Sequence, residues 1–78
     1  MTSIGERIRE SREAKRLPRT ALAALVGVSA ATVKRWETGQ SYPDVLELHA
    51  IASATGSPVY LLGSPEAAAA ERKLARTA

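Results

Sequence analysis

The stretch GVSAATVKRWETG, residues 27–39, decides the fold. It opens on a glycine turn and places Ser29 where a helix N-cap accepts an amide hydrogen bond. Helix-tolerant residues follow, and Gly39 closes the run. Val33 and Trp36 are three apart and share an inward face. The leading positions, Ala30 and Ala31, carry no hydrogen-bonding group. The stretch therefore reads either as a helix that meets a partner or as one that only packs.

Immediately upstream, RTALAALV (residues 19–26) reads as a second short helix. Pro18 cannot sit deep in a helix and marks its start. Leu22, Leu25 and Val26 have the spacing of a buried stripe. Ala23 and Ala24 are small enough to let a neighbouring helix approach. Gly27 supplies a left-handed C-cap. Only about three residues separate the two helices, which is the spacing of a helix-turn-helix unit.

Outward from this pair, SIGE reads as a capping box in which Ser3 and Glu6 satisfy each other's backbone amides. Ile4 and Ile8 give the first helix an apolar face, and it is expected to run to about Arg16. On the far side, QSYP reads as a loop. DVLE is a second capping box, with Asp44 as cap and Glu47 at the third position. Val45, Leu48, Ile51 and Ala52 form the stripe of a fourth helix that ends near Gly56. SPVYLL reads as a short fifth helix with Ser57 as cap, ending at Gly63. The expected architecture is all-α: a five-helix domain over residues 1–63 and an Ala-rich helical or disordered tail over residues 64–78.

Composition narrows the functional classes. The 78 residues allow one small domain. With no Cys there is no disulfide or thiolate zinc site, and with no Phe the core must be mostly aliphatic. No apolar run approaches the ~20 residues of a membrane span. The start, MTSIGERIRE, lacks the apolar segment of a signal peptide, so a cytoplasmic location is expected. His49 is the only His, with no acid at ligand spacing, and no phosphate-binding glycine loop is present. Catalysis, a cofactor and a metal are not expected.

Charge is uneven. Residues 7–35 hold eight basic residues (Arg7, Arg9, Arg12, Lys15, Arg16, Arg19, Lys34 and Arg35) against Glu10 and Glu13. Residues 36–63 hold Glu37, Asp44 and Glu47 and no Lys or Arg. A basic half beside an acidic one points to a polyanionic partner or to a solvated surface.

Taken together, these residues resemble the phage repressor/Cro-type, or XRE, family of helix-turn-helix proteins, from about Ile4 to Leu62. The matching segments are IGERIRESR, LAALVGVSAATVKRWETG, Pro43 and IASATG. The resemblance implies a double-stranded DNA operator as partner. Helix 3 would read bases in the major groove while helix 2 positions it on phosphates. It places the base-contacting positions on Ala30, Ala31, Thr32 and Arg35, with Lys34 nearby. Arg35 has the reach for a bidentate contact to guanine, or it meets only phosphate. The alanines meet thymine methyls, or they serve helix propensity alone.

Phosphate contacts are expected at Lys15, Arg16, Arg19, Ser29, Gln40, Ser41 and Tyr42, of which the resemblance itself carries Arg19. The family often has Gln at the place of Arg19 and Ser at that of Pro18. Its loop after helix 3 is often basic, whereas QSY here leaves contacts to polar side chains or backbone amides. Arg12 and Glu37 match a partly buried ion pair that ties helix 1 to the end of helix 3, the alternative being two solvated charges. Val59 and Leu61 fall near the family's dimer contact, unless the tail covers them. A homodimeric repressor is the implied function. The alternative is an antitoxin or adaptor that uses the same fold and binds a protein through its tail.

Overall fold

The computed structural model describes residues 3–57. Among them the chain forms four helices and no strand: α1 (Ile4–Ala14), α2 (Arg19–Val26), α3 (Ala30–Glu37) and α4 (Val45–Thr55). The expected fifth helix, the tail over residues 64–78, and Val59 and Leu61 lie outside the described residues.

Each helix start except one has a side-chain cap. Ser3 accepts from the Glu6 amide at 3.2 Å, and Ser29 accepts from the Thr32 amide at 3.1 Å. Asp44 and Glu47 form a complete reciprocal box, at 2.7 and 2.9 Å. The exception is α2, which opens on Pro18 with no side-chain cap bond.

The four C-termini close alike. Each ends in a residue of positive φ, followed by an amide that reaches back five positions. The pairs are Arg16 then Leu17 to Arg12, Gly27 then Val28 to Ala23, Gly39 then Gln40 to Arg35, and Gly56 then Ser57 to Ala52. Three of the four use glycine. The first uses Arg16 at φ 55°, so α1 stops at Ala14 rather than near Arg16. Pro18 disfavours helical backbone at Leu17 and forces the turn two residues early.

Both α1 and α2 pack against both α3 and α4. The core where they meet is Ile4 and Ile8, Leu22 and Ala23, Val33 and Trp36, and Leu48, Ile51 and Ala52. Leu25 departs from its expected place and is 61% exposed. The buried face of α2 is Leu22 and Ala23, with Val26 half-buried, and Leu25 falls on the other flank.

Candidate nucleic-acid interface

With Val33 and Trp36 turned into the core, α3 presents Ala31, Lys34 and Arg35 outward. Their spacing of three and four puts them on one open face. Ala30 is half-buried and packs against the core. The Thr32 hydroxyl lies 3.0 Å from Ser29 Oγ, so it shares the work of the cap. Of the five side chains expected to meet bases, three stand free on the surface, one leans on the core, and one has its hydroxyl in the cap.

The turn after α3 is drawn onto the helix end. The amides of Gln40 and Ser41 both donate to the Arg35 carbonyl, at 2.8 and 3.3 Å. Those two amides are therefore already bonded within the fold. The side chains of the turn remain: Gln40 and Tyr42 are exposed and Ser41 is half-buried.

Behind α3 lies a charge cluster. The Glu37 side chain is 1% exposed. Arg12 donates to it twice, from Nε at 2.6 Å to Oε2 and from Nη2 at 3.1 Å to Oε1. Arg12 Nη1 donates to the Leu17 carbonyl at 2.8 Å, so one guanidinium joins the ends of α1 and α3. The hydrogen bond to Glu37 raises the Arg12 pKa above its ordinary value against the opposing effect of burial. Arg19, the first residue of α2, donates from Nε to Glu37 Oε1 at 3.1 Å.

The remaining cations divide. Arg16 is exposed in the turn between α1 and α2. Lys15 leans its stem on the end of α4: a Cβ added to Gly56 would lie 3.2 Å from Lys15 Cε. A cation there complements the helix C-terminus. His49 is exposed on α4.

Three relationships were missed in the sequence. One is the second partner of Glu37, Arg19. Another is the left-handed Arg16. The third is Gly5, buried in the first turn of α1, where an added Cβ would run into the Trp36 carbonyl and lie 2.8 Å from that of Glu37. The signal for Gly5 was present as a glycine inside a helix, which lowers helix propensity and needs a packing reason.

Two short helices joined by residues 27–29, the second capped, anchored from behind and open on one cationic face, define a helix-turn-helix protein. Residues 3–62 match the family described as a helix-turn-helix domain. The chain belongs to that family, in its phage repressor and controller branch.

The P22 c2 repressor, solved with a synthetic operator, is 31% identical with a TM-score of 0.75, the match covering 80% of this chain and 94% of that one. The restriction-modification controller protein C.AhdI from Aeromonas hydrophila is 32% identical with a TM-score of 0.73, covering 77% of this chain and 91% of that one. The same fold also matches part of hydroxypropylphosphonic acid epoxidase from S. wedmorenis, at 30% identity and a TM-score of 0.72, over 80% of this chain and 33% of that one. No curated protein matches the chain by sequence at a significant level.

Proposed function

We propose that this chain is a sequence-specific double-stranded DNA-binding transcription regulator that lays α3 in the major groove and represses by occupying a promoter as a homodimer. The observation that carries the reading is the open face of Ala31, Lys34 and Arg35 on a helix fixed from behind by Val33 and Trp36. A major groove admits such a helix and offers a distinct edge for each base pair. Arg35 takes guanine, Ala31 takes a thymine methyl, and Lys34 supports them. Ala30 and Thr32 contribute apolar surface at the helix start. Arg16, Arg19, Ser29 and the side chains of Gln40, Ser41 and Tyr42 meet phosphate, while Lys15 contributes charge from the side.

The repressor reading draws support from the likeness to a repressor solved on operator DNA. One helix-turn-helix unit spans few base pairs, so two copies on half-sites about 34 Å apart supply the rest of the affinity. Residues near Val59 and Leu61 would join them. The proposed site of action is the cytoplasm; among the described residues no helix is long and apolar enough to cross a membrane.

A second reading is a protein-interaction module acting through residues 64–78. The occurrence of this fold within an epoxidase shows that the fold is not confined to regulators, so the two readings need an experiment to part them. Selection of bound sites from random duplex DNA, followed by a salt titration on the winning site, separates the two. The regulator reading expects a palindromic site and affinity that falls steeply with salt. Binding indifferent to both sequence and salt would remove it.

A further inference from the structure

We infer that Glu37 is a positioning residue for a phosphate contact, holding Arg19 by its Nε so that the terminal nitrogens of the same guanidinium meet DNA. This rests on the DNA-binding reading above and deepens it. Glu37 lies in the last turn of α3 with its side chain enclosed, 1% exposed. Arg12, 12% exposed, already gives it two hydrogen bonds and a full opposing charge. Arg19 adds a second guanidinium to the same carboxylate, so the cluster carries one positive charge more than its internal pairing requires.

That surplus sits on the more accessible partner. The Arg19 side chain is 38% exposed, and its bond to Glu37 engages Nε alone. A guanidinium has five N–H donors in a rigid fork, so a hold at Nε leaves the two terminal groups out of that bond. An anion with several acceptor oxygens suits them, and phosphate is the anion a duplex offers. Because Glu37 belongs to the reading helix and Arg19 to the preceding one, the link sets the phosphate contact in register with the bases. A lysine has a single ammonium and cannot serve a buried carboxylate and an outer phosphate in the same way.

The test measures affinity and its salt dependence for Arg19→Lys, Arg19→Ala and Arg35→Ala on the selected duplex, with folding followed by circular dichroism. Arg19→Lys keeps the charge, so the salt slope should stay near that of the native chain while affinity falls about threefold to tenfold from lost ordering. Arg19→Ala should lose affinity and about one unit of slope. Glu37→Gln should weaken binding in the native chain and cost less in the Arg19→Lys chain, where only its bonds to Arg12 remain to be lost. Should Glu37→Gln fail to fold, Glu37→Asp, which keeps the buried charge and shortens the reach to Arg19, takes its place. Native affinity in Arg19→Lys would overturn the positioning role while leaving DNA binding intact. A native chain whose DNA binding ignores salt would overturn both, and Arg35→Ala would then change nothing.

Discussion

Arg12 and Glu37 meet through two hydrogen bonds, of 2.6 and 3.1 Å, across a separation of 25 positions. The contact is enclosed, and it fixes α1 to the helix that carries the open cationic face. Removing one member of a buried pair leaves the other charge uncompensated, at a cost of about 3–5 kcal/mol. Arg19 remains beside Glu37 when Arg12 is lost. Arg12→Ala is therefore expected at the lower end, about 3 kcal/mol, and Glu37→Ala, which strands two cations, above it. Chemical denaturation of both variants checks the order.

The pH dependence of that cost follows from sign. The Arg12 pKa is raised above its ordinary value in the folded chain, chiefly by the hydrogen bond to Glu37. Its contribution is fully present below the unfolded value and is lost only as pH rises through the higher folded value. The destabilisation by Arg12→Ala should therefore be equal at about pH 7 and about pH 9. A cost that faded between them would show that the charge on Arg12 is not what matters.

Gly5→Ala sets helix propensity against packing. Alanine is the better helix former by about 1 kcal/mol. The new methyl, however, meets backbone carbonyls of Trp36 and Glu37, which cannot swing aside as a side chain would. Overpacking of this kind costs about 1–3 kcal/mol, and α1 must shift from α3 to relieve it. A lowered melting temperature is expected, and an unchanged or raised one would show that the two helices separate freely.

Arg16→Gly should part stability from binding. Arg16 holds φ 55°, a conformation that disfavours an L side chain by about 1–2 kcal/mol. Glycine removes that strain, at some cost from the freer unfolded chain. Stability should rise slightly while affinity for DNA falls with the lost charge. Equal or stronger DNA binding would take Arg16 off the phosphate surface.

How much of this was legible in the sequence follows from range. Ser3, Ser29 and Asp44 as caps, and Gly27, Gly39 and Gly56 as helix ends, depend on neighbours within a few positions, and the chain displays those directly. Leu25 was misplaced because a short helix offers two apolar flanks: Leu22 and Val26 pair as well with Ala23 as with Leu25. Periodicity cannot choose between them; close packing against α3 and α4 favoured the small residue. The early stop of α1 needed no glycine, only Pro18 acting on its predecessor. The pairing of Arg12 with Glu37 came from resemblance, since nothing local links positions so far apart. Arg19 escaped notice because it stood assigned to phosphate, and an arginine has donors enough for two partners.

Arg35 and Arg19 should fail differently when cut to alanine. Arg35 stands exposed beside Ala31 on the face of α3 that would meet base edges. A bidentate arginine–guanine contact discriminates by about 1–3 kcal/mol, so Arg35→Ala should relax preference at one position of each half-site. Its neighbour Lys34 keeps local charge, and non-specific affinity should fall less than specific affinity. Arg19 begins α2 and is held from behind by Glu37, off the face of α3 proposed to meet bases. Its loss should weaken all sequences about equally and reduce the salt slope by about one. Binding measured on the selected site and on single-base variants of it checks both. If the two variants lowered affinity uniformly across those sequences, Arg35 would be a phosphate contact, and specificity would have to come from DNA shape and the apolar start of α3.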